Sequence, residues 1–311
     1  MRPDKQAQAL LKRLEQEAIP PLSGLTPVEA RRINREGDRK LEGPSETVAL
    51  VKNLAVPGPS GHIPIRIYVP LENERLPILV YFHGGGWVVG DLDSVDCLCR
   101  SIANSAKCMV ASVDYCLAPE HKFPAPLEDS YGATKWISDH AADLNGDSRR
   151  IAVAGDSAGG NLAAAVSLMA RDRGGPAIIY QLLIYPITNH RFDTDSYKEY
   201  GDGYYLTKED MKWFWNHYLR NERSGEIPYA SPLLANNLSS LPPAFVMTAE
   251  FDPLRDEGEA YAARLQEFGV PVKVTRYSGT IHGFITIAEL PQSKLAIEDA
   301  TIEIRRVFGN S

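Results

Sequence analysis

The spacing of hydrophobic positions changes along the chain. From Asp4 to Ala18 they recur at helical spacing, with Ala7, Leu10, Leu11 and Leu14 on one stripe, and Pro20-Pro21 closes the segment. A second helix is predicted from Thr26. Thr26 suits the N-cap, Pro27 the first turn, and Glu29 completes a capping box. From Glu46 the period becomes two. Val48, Leu50 and Leu54 alternate with polar residues, Pro57-Gly58-Pro59-Ser60-Gly61 forms a turn cluster, and Ile63, Ile65, Ile67 and Val69 alternate after it. That is the pattern of a hairpin at a sheet edge. Pro77-Ile78-Leu79-Val80-Tyr81-Phe82 is continuously apolar, as a buried central strand requires.

Strands and helices then alternate. Strands are expected at Met109–Asp114, Arg150–Ala154, Ala177–Ile184, Ala244–Ala249 and Val272–Tyr277, and helices at Ser94–Ala106, Leu127–Asp143, Gly159–Arg171, Leu254–Phe268 and Ser293–Phe308. This alternation predicts an α/β fold. Its sheet has eight strands, mostly parallel with an antiparallel first pair, and helices on both faces. Residues 188–231 break the rhythm: no strand is expected there, and Thr207 opens a helix with the stripe Met211, Phe214, Trp215 and Tyr218. The expected organisation is therefore N-terminal cap helices (1–45), a first part of the core (46–187), a cap insertion (188–230) and a second part of the core (231–311).

Length and charge narrow the class. The 311 residues allow one large α/β domain with an accessory piece. The net charge of −7, without basic clusters, argues against nucleic acid as a partner. The N-terminus is charged throughout, unlike a signal peptide, and no apolar run approaches the ~18 residues of a membrane span, so a soluble, cytoplasmic protein without a membrane partner is expected. Cys97, Cys99, Cys108 and Cys116 lack zinc-site spacing and read as reduced, packed thiols, with no metal expected.

Candidate chemistry centres on Ile151–Gly160, IAVAGDSAGG. Gly155-Asp156-Ser157-Ala158-Gly159 is G-x-S-x-G between an expected strand and an expected helix. A serine hydroxyl becomes a useful nucleophile when a strained turn presents it beside a base. Gly155 and Gly159 permit close chain approach at such a turn. His83-Gly84-Gly85-Gly86-Trp87 follows the central strand, and its backbone N–H groups, with that of Ala158, suit an oxyanion. His83 reads as an orienting or packing residue. Of seven histidines only His282, in Gly279–Phe284, lies beyond the final expected strand, where the base belongs. Asp252 is best placed as the orienting acid, ahead of Glu250 and Asp256; it also suits a helix N-cap.

The motifs HGGGW, DYCLAPEHKFPAP, GDSAGG, DPLRDEGEAYA and HGF, in that order, resemble the hormone-sensitive-lipase (family IV) branch of the α/β-hydrolase carboxylesterases. The similarity runs from about Tyr68 to the C-terminus, and the N-terminal helices resemble that branch's cap. The resemblance implies Ser157 as nucleophile, Asp252 as acid, His282 as base, and Gly84, Gly85 and Ala158 as oxyanion donors. Cys116 departs from the pattern, standing where the branch usually carries Arg.

The implied function is a serine carboxylesterase acting on short- to medium-chain esters through an acyl-enzyme, with no cofactor. Two alternatives are a small-ligand receptor on the same fold, and an amidase or deacetylase. Trp87, Phe214, Trp215 and Phe284 are candidates for the substrate pocket, although the aromatic stripe equally suits packing of the cap. The last strand, from Val272 to Tyr277, is expected at an edge that pairs with a second copy in a homodimer.

Overall fold

In the computed structural model, residues 2–17, 19–59, 61–71 and 75–309 are described. Ala18, at the end of the first expected helix, and Ser60, in the expected turn cluster, lie outside the described residues. The chain opens with α1 (Lys5–Gln16), whose Ala7 amide donates to the Asp4 side chain at 2.8 Å. The expected capping box of Thr26 and Glu29 opens α2 (Pro27–Leu41).

The sheet follows: β1 (Leu50–Gly58), β2 (Gly61–Val69) and β3 (Leu76–Phe82), then α3 (Asp96–Ala106), β4 (Met109–Val113), α4 (Ala125–Asp139), β5 (Gly146–Asp156), α5 (Ala158–Arg173) and β6 (Tyr180–Ile184). Next come α6 (Asp195–Tyr200), α7 (Lys208–Tyr218), β7 (Ala244–Phe251), α8 (Arg255–Glu267), β8 (Val272–Ile281) and α9 (Pro291–Phe308). The eight strands lie in the order β1-β2-β4-β3-β5-β6-β7-β8. Only β2 runs against its neighbours; the other pairs are parallel.

The alternation along β3 shows why its sequence is apolar throughout. Ile78, Val80 and Phe82 pack with α4, α5 and α8 on one face, whereas Leu79 and Tyr81 pack with α3 and α9 on the other. A strand buried on both faces has no position for a polar side chain.

Several bounds differ from expectation. β5 extends back to Gly146 because Gly146 pairs with Leu76 of β3, before a shift in the ladder. β6 starts only at Tyr180, after Gly175-Pro176, where Pro has no N–H for a ladder. β1 begins at Leu50, later than the Val48 of the expected alternation, and Leu50 is exposed. α6 was not expected, since six residues carry too little periodicity; Thr194 caps it. β8 continues to Ile281 although Ser278-Gly279-Thr280 reads as a loop, and the ladder shifts between Ala249 and Phe251 to accommodate it. No helix among the described residues is long and apolar enough to cross a membrane.

Candidate active site

Ser157 stands between β5 and α5 with φ 55° and ψ −116°, a conformation that strains a residue bearing a side chain. The neighbouring glycines make the turn possible. A Cβ on Gly155 would overlap the Gly159 carbonyl, and one on Gly159 would overlap that of Phe82. The Ser157 amide donates to the Ile184 carbonyl at 2.9 Å, tying the turn to the next strand.

Parallel pairing brings the distant residues to one rim. Phe251 pairs with Ile281, so the residues that follow, Asp252 and His282, emerge side by side. The His282 Nδ1 lies 2.7 Å from Asp252 Oδ2, and Nε2 lies 3.0 Å from Ser157 Oγ. A carboxylate only accepts, so Nδ1 carries the proton and Nε2 is left to accept from the serine hydroxyl. Asp252 is fully buried, and its other oxygen accepts from the Leu254 amide at 2.8 Å. The rival acids are engaged elsewhere: Glu250 accepts from the Gly279 amide at 2.8 Å and Asp256 from the Ser196 amide at 2.8 Å. Tyr185 packs against the imidazole, with ring centroids 4.6 Å apart.

The glycine loop is held from both sides. Phe82 pairs with Gly155, which puts the start of the loop beside Asp156. Asp156 Oδ1 accepts from the Gly84 amide at 3.0 Å and from Tyr81 Oη at 2.9 Å. Burial pushes the Asp156 carboxyl above its ordinary range. His83 is fully buried, stacked on Tyr115 at 4.3 Å, and its Nδ1 lies 2.7 Å from the Gly84 carbonyl; since that oxygen only accepts, Nδ1–H donates. Burial lowers its pKa to about 4, which keeps the ring neutral.

These bonds correct one expectation. The Gly84 N–H is committed to Asp156, so it is not free to meet an oxyanion. The amides of Gly85 and Gly86 have no such partner among the described residues, and Ala158 opens α5, where the first N–H groups lack helical acceptors. The resemblance names Gly84 and Gly85 where the unengaged amides are those of Gly85 and Gly86, and no sequence signal marks the bond from Gly84 to Asp156.

A cavity of about 1180 Å³ opens above the rim. Ser157, His282, Gly84, Gly85, Gly86 and Phe214 line it, with further walls from α1, α2 and residues 202–211. Trp87, Trp215 and Phe284 do not line it, contrary to expectation. Trp87 is fully buried, stacked on Tyr218 at 4.0 Å and beside Trp215 at 4.6 Å, where it joins the glycine loop to α7. Phe284 packs beneath, on Tyr185 and Tyr277. The stripe divides by helical geometry: Met211 and Phe214 line the cavity, whereas Trp215 and Tyr218 do not. At Cys116 the backbone amide donates to the buried Asp129 at 3.1 Å, and no ion pair reaches Asp129 among the described residues.

A parallel sheet with a strained serine between strand and helix defines the α/β-hydrolase class. A family profile described as alpha/beta hydrolase fold matches residues 79–286, and the chain belongs to that family, in the hormone-sensitive-lipase-like branch. The carboxylic ester hydrolase LipN of Mycobacterium tuberculosis is 48% identical over 247 residues, covering 77% of this chain and 65% of LipN, slightly less than two thirds of that relative's length. The carboxylesterase NlhH of the same species is 44% identical over 230 residues, covering 73% of this chain and 72% of NlhH. The solved structure of the ester hydrolase EH1AB1, from the metagenome of Lake Arreo, matches with a TM-score of 0.96 at 40% identity, over 99% of this chain and 100% of that one.

Proposed function

We propose that this chain, an ester hydrolase by its family and relatives, cleaves short- to medium-chain carboxylic esters through an acyl-enzyme on Ser157. The observation that carries this reading is the hydrogen-bonded series Asp252–His282–Ser157, at 2.7 and 3.0 Å. His282 Nε2 takes the proton as Ser157 Oγ attacks the carbonyl carbon, and Asp252 stabilises the imidazolium that forms. The amides of Gly85, Gly86 and Ala158 hold the oxyanion. His282 then returns the proton to the leaving alcohol, and water, deprotonated by the same imidazole, releases the acid. No step in this scheme calls on a cofactor.

In the same reading, α1, α2 and the 188–230 segment act as a cap over the cavity. The protein works in the cytoplasm, and two copies pair through the free edge of β8. A fluorophosphonate probe tests the central claim. Wild type should be labelled at Ser157 and hydrolyse p-nitrophenyl butyrate, and Ser157→Ala should lose both. Hydrolysis that survives the substitution would show that another group is the nucleophile, and a wild type that is neither labelled nor active would point to a non-catalytic protein.

A further inference from the structure

The inner face of α2 reaches the cavity through Ile33, Asn34, Gly37, Asp38 and Leu41. A helix that merely closed an apolar pocket would carry aliphatic side chains on that stripe. Asn34 and Asp38 interrupt it one turn apart. The Asn34 amide donates to Asp38 Oδ2 at 2.6 Å, leaving Oδ1 without a partner among the described residues. Asp38 has no ion pair among them either. Arg31 and Arg35, on the same helix, are taken by Glu120 and Asp91.

The other acidic side chains of the cavity supply no counter-charge. Asp156 lies beside the nucleophile, and Asp210 lines the α7 side. Asp210 is only 7% exposed, and its Oδ2 is held by Thr207. Lys12, exposed on α1, is the one Lys or Arg among the lining residues. Burial, with Asp91 and Asp156 nearby, lifts the Asp38 pKa to about 7, as it would for a carboxyl lacking a counter-charge.

We propose that the α2 wall recognises a protonated amine on the ester substrate, with Asp38 as its counter-ion. An ammonium supplies both the absent positive charge and donors for Asp38 Oδ1. An ester carrying a carboxylate meets Asp38 and is disfavoured. The inference rests on the esterase reading above.

The test uses three esters of similar size in a pH-stat assay: 2-(dimethylamino)ethyl butyrate, its neutral isostere 3-methylbutyl butyrate, and 3-butyryloxypropanoate. The quantity read is the ratio of kcat/KM for the cationic ester to that for the neutral one, which cancels any general loss of active protein. Asp38→Asn should lower this ratio on the order of tenfold, and Asp38→Glu should largely keep it. The anionic ester should be the poorest substrate of wild type and gain relative to the neutral one in Asp38→Asn. Raising NaCl to about 0.5 M should lower the wild-type ratio by screening. A ratio unmoved by Asp38→Asn, or one in wild type that salt leaves unchanged, overturns the proposal. If wild type hydrolyses none of the three esters, the esterase reading falls instead.

Discussion

The Gly84 amide donates to Asp156 Oδ1 at 3.0 Å, joining the glycine loop to the residue before the nucleophile. One carboxylate therefore sets the spacing between Ser157 and the amides of Gly85 and Gly86. The bond is internal to the protein and acts on geometry rather than on substrate.

Asp156→Ala should lower kcat by about 10²-fold with a small change in KM, because oxyanion donors act in the transition state. Asp156→Asn keeps an oxygen that accepts from Gly84 and Tyr81, and should recover most of the loss. Steady-state kinetics on p-nitrophenyl butyrate decide this. A parallel fall of kcat in both variants would place the effect in the charge instead.

Phe214 lines the cavity wall, and in the proposed reading its ring limits the acyl chain. Its ring occupies the space where a Cβ on Gly86 would point. Phe214→Ala should raise activity on C10–C12 esters relative to C4 by roughly tenfold. An acyl-chain series measures the shift, and an unchanged profile would mean that another wall limits the chain.

His83 makes stability depend on pH. Its folded pKa is about 4, against ~6.5 for an unfolded histidine, so the unfolded chain binds the proton more readily. The contribution is fully present above pH ~6.5 and is lost as pH falls toward 4, amounting to about 3 kcal/mol. Burial raises the carboxyls of Asp156 and Glu257, which shifts stability in the opposite direction. A comparison of wild type with His83→Asn holds those groups constant. Urea midpoints at pH 7 and pH 4.5 should converge in the variant and diverge in wild type.

The proposed pairing of two copies is tested at β8. This strand ends the sheet and exposes Val274. Val274→Lys places a charge on an unpaired edge, which opposes strand addition. Light scattering should find a dimer for wild type and a monomer for the variant, and the same mass for both would exclude this edge.

The residue pattern by itself determined the order of the strands and of every α-helix but α6, the alternation that makes a parallel sheet, and the three turns that carry Ser157, Asp252 and His282. Those features are local: periodicity, capping and glycine turns act within a few residues. Only the tertiary structure decided which amides stay free. Gly84, Gly85 and Gly86 are identical as letters, and the difference comes from Asp156, which reaches Gly84 across the β3–β5 pair. It likewise decided that Phe214 lines the cavity while Trp87 and Trp215 pack together, since a helical stripe shows which residues are buried but not against what. The adjacency of Asp252 and His282 came from a ladder shift between Ala249 and Phe251 that no local propensity encodes, because register belongs to two strands at once.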